Sequence, residues 1–512
     1  MTVGQVSRTA GRASGPARGV HAPVAAFLAF ASSIAMAQTS PIRTVTLPSK
    51  SPVVNIRLVF TTGAAVDPPD KPGLANLTSA MLAGGGTREL TYKQILDALF
   101  PMAATVTGRA DQEMTSFSGN THVENLDAYY ALFRSMLLDP GWREDDFKRL
   151  KDQAINNLRV QLRGNNDEEL GKEALYLLLY RGTPYGHYAA GSVSGLERIT
   201  IEDVKQFYRQ HYVQSNLIAG LAGGYPAQFL DRVKKDFAAL PAKDATAAAA
   251  VRPAETGHTR LQIIEKNTRS VAYSLGYPID VKRGDADFPA LLVAQSYLGQ
   301  HRMSGRLFDR IREVRGINYG DYAYIEYFPR GMFSFEPEPN IARRSQIFQI
   351  WIRPAEPPQA AFALRLAVFE LNRFVKEGLT EEEFERSREF LSKYVNVLTK
   401  TKRAELGYAI DSLYYGIPDY NSYVRTALAK LTREQVNAAI RRHLRADRLQ
   451  IVAVASDAAK LKQQVTGAGP SPIPYTTPKP AAILEEDKIV ERFDIGLRDA
   501  DVEIVPVEQI LE

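Results

Sequence analysis

The sequence predicts an α+β protein made of two homologous domains, and three observations carry that prediction. First, Gly141-Trp142-Arg143-Glu144-Asp145-Asp146-Phe147 opens a long amphipathic helix, and Gly378-Leu379-Thr380-Glu381-Glu382-Glu383-Phe384 opens another of the same kind. Second, Ile199-Thr200-Ile201-Glu202-Asp203-Val204 returns as Leu431-Thr432-Arg433-Glu434-Gln435-Val436, and the same spacing pairs His211 with His443. Two motif pairs in the same order at nearly the same separation argue for a duplication rather than chance. Third, each half mixes period-2 strands such as Val53–Phe60 with long helices of 3.6-residue period. The elements alternate irregularly with hairpin-like neighbours, which favours α+β over a doubly wound parallel sheet.

The chain has 512 residues, 45% of them hydrophobic and 24% charged. That is ordinary globular composition, so global disorder is excluded. There is no cysteine, which removes disulfides, thiolate zinc sites, iron–sulfur clusters and cysteine nucleophiles together. The seven histidines are His21, His122, His187, His211, His258, His301 and His443. None lies one helical turn from another, so no histidine pair shares a helix face to hold a metal.

Residues 1–37 read as a cleavable signal peptide. Arg8, Arg12 and Arg18 form a basic start, Ala22–Ala37 is uncharged, and Ala35-Met36-Ala37 is a small-x-small cleavage site. The apolar run is shorter than the roughly 20 residues of a membrane span. No later stretch is long and apolar enough to cross a bilayer, so no stable span is expected after cleavage, and a secreted chain without cysteine suits a bacterial periplasm. The net charge of +5 rests partly on the three leader arginines, so it argues little for nucleic acid, and none is expected as partner.

Residues 41–240 form the N-terminal domain. Pro72-Gly73-Leu74-Ala75-Asn76-Leu77-Thr78-Ser79-Ala80-Met81-Leu82 follows a strand and reads as a buried helix. Gly84-Gly85-Gly86 lacks the lysine and spacing of a P-loop and reads as a turn. The acidic first turn at Glu144–Asp146 suits the helix dipole of the long helix. Pro184-Tyr185-Gly186 and Gly191 precede the Ile199 helix, and Leu217–Leu221 is a strand. His187 reads as a hydrogen-bonded loop residue. Residues 241–259, rich in alanine and polar residues, form the linker.

Residues 260–466 form the C-terminal domain. Its most distinctive stretch is Ser304-Gly305-Arg306-Leu307-Phe308-Asp309-Arg310-Ile311-Arg312-Glu313-Val314-Arg315-Gly316-Ile317-Asn318-Tyr319. On a helical wheel Leu307, Ile311 and Val314 form the buried stripe, with Arg312 off it near Phe308. Gly316 reads as a left-handed cap. Tyr319–Tyr327 alternates as a strand, so Arg312 and Tyr319 project from one turn. Arg306, Arg310 and Arg315 are expected to form structural ion pairs, for example with Asp309 or Glu313, or to lie in solvent. Tyr322, Tyr324 and Tyr327 either line a peptide groove or pack an edge strand. Thr380 caps its helix with Glu383 three residues on, and Leu449–Val454 is the strand matching Leu217–Leu221. Residues 467–512 form a tail, expected to wrap the surface as extended chain and short strands. No Ser-His-Asp signature and no convincing carboxylate dyad is present.

These motifs together resemble the pitrilysin/insulinase family of inverted zinc peptidases. The resemblance spans nearly all of the mature chain and implies two α+β domains forming a half-clamshell. In that family the Pro72–Leu82 helix carries H-x-x-E-H, with a distal glutamate further along. Laid on this sequence, the two histidines fall on Asn76 and Ala80, the glutamate on Ser79, and the distal ligand near Asn157. A catalytic zinc takes three protein ligands, so the resemblance implies no metal and no cofactor in this chain. Arg312 and Tyr319 match the family's arginine and tyrosine, which reach across a closed chamber to the zinc site of the opposite half. A guanidinium can grip a substrate carbonyl, and a phenol can donate to the developing oxyanion. The implied function is the zinc-less subunit of a periplasmic peptidase, as in the two-subunit mitochondrial processing peptidase. It would supply Arg312 and Tyr319 to a zinc-bearing partner in a heterodimer acting on unfolded peptides. The alternative is a peptide-binding or assembly scaffold of the same fold with no role in proteolysis. A third is an active enzyme with displaced ligands, which stoichiometric zinc in the first half would reveal.

Overall fold

The computed structural model describes residues 42–301, 305–328 and 338–512. The leader expected over 1–37 falls outside them. The described chain is built on two mixed sheets. The first takes β1 (Arg43–Pro48), β2 (Val53–Phe60), β3 (Thr105–Ala110), β4 (Thr115–His122) and β5 (Leu217–Gly223), in the order β1-β5-β2-β4-β3. The second takes β6 (Arg260–Glu265), β7 (Val271–Ile279), β8 (Asp321–Tyr324), β9 (Gln346–Ala355), β10 (Gln450–Ala455) and β11 (Val502–Pro506), in the order β11-β6-β10-β7-β9-β8.

Without β11 the two sheets have one topology. β1 runs parallel to β5 as β6 does to β10, and every other neighbouring pair is antiparallel in both. The repeat legible in the sequence is therefore a repeat of structure. Its helix starts agree in detail. Thr200, Thr380 and Thr432 each accept from the backbone N–H three residues on, and each is answered by Asp203, Glu383 or Gln435 in a capping box.

The halves exchange helices. The Asp167–Leu179 helix of the first half lies on β7 and β10 of the second sheet. The Lys402–Tyr415 helix of the second half lies on β1, β2 and β5 of the first. Leu406 and Ile410 pack there with Val59, Ile218 and Ala222. Between these elements, residues 241–259 run without helix or strand.

Three details depart from the sequence reading. The tail contains a helix, Ala481–Val490, begun by Pro480 and filled with good helix formers. The strand expected over Tyr319–Tyr327 stops at Tyr324. Beyond it, side chains replace the ladder: Gln295 Oε1 accepts from Ile325 N at 2.7 Å, and Gln346 Oε1 accepts from Tyr327 N at 3.0 Å. The arginine-rich helix is a π-turn over Phe308–Glu313. Its extra residue rotates the next turn of chain, so Arg315 is buried where Val314 was expected and Val314 is half-buried.

Candidate functional site

The degenerate motif lies on the Leu74–Gly84 helix. Two N–H groups at its N-terminus are satisfied by the buried carboxylate of Asp67, which accepts from Gly73 N and Ala75 N at 2.8 Å each. Desolvation raises the Asp67 pKa even against these bonds and against His187. His187 Nε2 is 3.4 Å from Asp67 Oδ2, so this histidine holds the helix start from its loop. The glycines of two separate motifs explain each other here. Gly73 and Gly191 both take positive φ, 99° and 96°, and a Cβ on Gly73 would stand 2.9 Å from Gly191 Cα. Neither position has room for a side chain.

Asn76, Ala80 and Asn157 lie along the same cavity, of about 1040 Å³, together with β3, Gln153, Gln161, Glu173 and Tyr327. Asn157 opens a π-turn that continues to Leu162, a feature often found at functional sites. The donor set does not fit zinc. Alanine offers no donor atom, and carboxamide oxygens are weak ligands for a borderline-soft ion. Ser79 is turned away: it is 1% exposed, and its Oγ has no hydrogen-bond partner. Among the described residues no group of three or more histidine or carboxylate side chains is placed to hold a metal. The side chains of Asn76, Gln153, Asn157 and Gln161 make no hydrogen bond to another described residue, so these carboxamides remain available to a ligand in the cavity.

Asp111 and Glu173, which line the cavity, belong to a polar network that joins the two halves, and no sequence motif announces it. Arg343 donates to Asp111 Oδ1 from Nη2 at 2.8 Å and from Nε at 3.2 Å. Arg344 Nε donates to Glu113 Oε1 at 2.8 Å. Glu113 also accepts from the hydroxyls of Tyr185 and Tyr414. Glu173 lines the cavity, and burial pushes its pKa up to about 8 against the opposing pull of Arg343. Each residue is an ordinary polar side chain in sequence; only its partner in the other half gives it a role.

Arg312 and Tyr319 also meet, on the second half. The Arg312 guanidinium is 4.8 Å from the ring centroids of both Phe308 and Tyr319, and it pairs with Glu313. The Tyr319 residue is 64% exposed, so its ring presents a surface to solvent. Arg353 approaches the same ring at 5.9 Å and donates from Nε to Glu168 Oε1 at 3.3 Å. Glu168 sits on the exchanged Asp167–Leu179 helix, whose Glu169 and Glu173 line the cavity. One helix therefore touches both places. The neighbouring arginines form structural ion pairs, as expected, with partners other than Asp309 and Glu313. Arg306 and Arg310 share Glu370, which is fully buried, and Arg310 and Arg315 share Glu486. Tyr322 and Tyr324 are packed with Phe328 and Trp351, while Tyr327 alone of the three lines the cavity.

Among the described residues no helix is long and apolar enough to cross a membrane. Comparison with known proteins agrees with this architecture. The domain described as Insulinase (Peptidase family M16) matches residues 43–191, and the Peptidase M16 inactive domain matches residues 198–391. A relative from Helicobacter pylori, "Non-peptidase homolog YmxG", is 21% identical over 395 residues, covering 77% of this chain and 86% of that protein. A peptidase M16 inactive domain from Pseudomonas fluorescens shares the fold with a TM-score of 0.70 and 23% identity, over 81% of this chain and 95% of that one. The periplasmic protease PqqL from Escherichia coli shares it with a TM-score of 0.64 and 17% identity, over 88% of this chain and 50% of that one. Two sheets of one topology, a motif helix without metal donors and these matches lead to one conclusion: the chain belongs to the M16 peptidase family, as a peptidase-like member without the zinc-binding motif.

Proposed function

We propose that this chain is the zinc-less subunit of a periplasmic heterodimeric peptidase. It pairs with a homologous subunit bearing H-x-x-E-H and supplies Arg312 and Tyr319 to that subunit's site. The observation that carries the reading is the asymmetry between the two motifs. The metal positions hold Asn76, Ala80 and Asn157, whereas Arg312 and Tyr319 stand together at 4.8 Å with the ring exposed. A loss of function by drift gives no reason to keep the second motif assembled after the first has gone. The match to half of the PqqL chain supports a two-chain assembly in which a second chain completes the particle. In the complex the metal would polarise the scissile carbonyl from the partner's side. Arg312 would grip a substrate carbonyl by its fork, and the Tyr319 hydroxyl would donate to the developing oxyanion.

The test mixes the purified chain with a zinc-bearing homologue and follows hydrolysis of an unstructured peptide. Arg312→Ala and Tyr319→Phe are each expected to lower kcat/KM by about 10²–10³-fold, the usual loss for one oxyanion donor. Activity unchanged by both substitutions ends the proposal.

A second reading is a peptide-binding scaffold with no part in hydrolysis, and the four available carboxamides of the cavity favour it. A neighbouring gene of similar size with intact H-x-x-E-H supports the peptidase complex; an isolated gene supports the scaffold.

A further inference from the structure

The turn bearing Arg312 and Tyr319 is cradled by the tail, which lies beyond the residues matched to either M16 domain. A helix leaves its last carbonyls without intrahelical partners. At the end of this one, two are taken by cationic side chains. Arg315 Nη1 donates to Arg310 O at 2.9 Å, and Lys479 Nζ donates to Val314 O at 2.8 Å. The side chain of Arg315 is itself fully buried, and the tail supplies its counter-charges: Nε donates to Asp487 Oδ1 at 2.8 Å, and Nη2 to Glu486 Oε2 at 2.6 Å. Glu486 also accepts from Arg310, and from Arg373 at 3.1 Å. Tyr475 donates to the second oxygen of Asp487 at 2.5 Å. A buried guanidinium must keep such partners. Arg315 stands between Arg312 and Tyr319 in the chain, so whatever fixes Arg315 fixes the turn that presents both.

We infer that the segment Tyr475–Val490 is a positioning element for the Arg312/Tyr319 pair, with Glu486 and Asp487 acting through Arg315 and Lys479 acting through the Val314 carbonyl. This rests on the proposed function insofar as the pair works on substrate. None of the three tail residues need touch the substrate. Their effect is on placement, where about 1 Å can cost up to 10²-fold in rate.

Two variants of the full chain test it: Lys479→Met, which removes one cap and strands no buried charge, and the double change Glu486→Gln/Asp487→Asn. In the complex each is expected to lower kcat by about tenfold while KM stays within about twofold, because the contacts of the pair strengthen in the transition state. Repeated in the Arg312→Ala/Tyr319→Phe background, the same changes are expected to cost nothing further. An equal loss in both backgrounds, or none in the first, overturns the inference. A second readout needs no activity: 3-fluorotyrosine at position 319 reports its surroundings by ¹⁹F resonance in the isolated chain. If Arg312→Ala and Tyr319→Phe leave hydrolysis untouched, the proposed function fails and the resonance alone decides. A shift in Lys479→Met at unchanged melting temperature, and in the double variant measured well below its own lowered melting temperature, keeps the positioning role; a resonance that stays in place in either removes it.

Discussion

Arg343 stands over the ring of Tyr327, its guanidinium carbon 3.2 Å from the centroid, while its Nη2 donates to Asp111 of the other half. One cation thus satisfies an aromatic face and a carboxylate across the boundary between the halves. Both Arg343 and Asp111 are almost fully buried. Removing the cation alone leaves the buried Asp111 carboxylate with Arg109 at 4.0 Å and the Gln112 N–H, and the loss of a buried partner costs up to about 3–5 kcal/mol. Arg343→Met is therefore expected to lose up to that much stability in urea denaturation. Combining it with Asp111→Asn is expected to recover part of the loss, because the remaining partner is then neutral.

Glu173 sets a pH dependence. Its pKa is raised by burial to about 8 in the folded chain, against about 4.3 for a free glutamate. Between those values the folded state holds a proton that the unfolded state releases, so stability falls as pH rises through that window. Asp321, pushed up to about 8 by burial, acts in the same direction. Glu173→Gln mimics the protonated acid. It is expected to match the wild type near pH 4 and to exceed it at pH 8, by at most about 4–5 kcal/mol, the full linkage of that shift. Urea titrations at the two pH values check this, and equal stability at pH 8 would count against a proton on Glu173.

Ser79 occupies the position of the family's catalytic glutamate, yet its hydroxyl is buried without a partner. An unpaired buried hydroxyl costs free energy. Ser79→Ala is expected to be neutral or stabilising by up to about 1 kcal/mol, with peptide hydrolysis in the complex unchanged. A drop in activity would give Ser79 a role that its geometry does not suggest.

The frame laid on Asn76, Ser79, Ala80 and Asn157 can itself be tested by rebuilding it. Asn76→His, Ala80→His and Asn157→Glu, with Ser79→Glu in place, restore three ligands on two helices that already face one cavity. The rebuilt chain is expected to bind one zinc per molecule by elemental analysis after dialysis, and the parent chain none. Failure to take up zinc would place the distal ligand elsewhere on the second helix.

The features legible in the sequence were local or repeated. The capping boxes of Thr200, Thr380 and Thr432 need only residues three apart, and their recurrence exposed the duplication that the two sheets display. The adjacency of Arg312 and Tyr319 came from a single turn. Three things stayed hidden. The π-turn over Phe308–Glu313 has no side-chain signature, so burial passed from Val314 to Arg315 unannounced. The pairs Arg343–Asp111 and Arg315–Asp487 join residues far apart in the chain, and only the fold chooses among so many arginines and acids. The tail helix was obscured by the prolines before it, although Pro480 in fact starts it.

The exchanged helices make the two copies of this domain mutually incomplete. Asp167–Leu179 lies on the second sheet and Lys402–Tyr415 on the first, so a half expressed by itself would present a bare sheet face to water and carry a helix with nothing to rest on. A chain severed within 241–259 would stay together as a non-covalent pair, since the halves are joined by their interlock rather than by the tether.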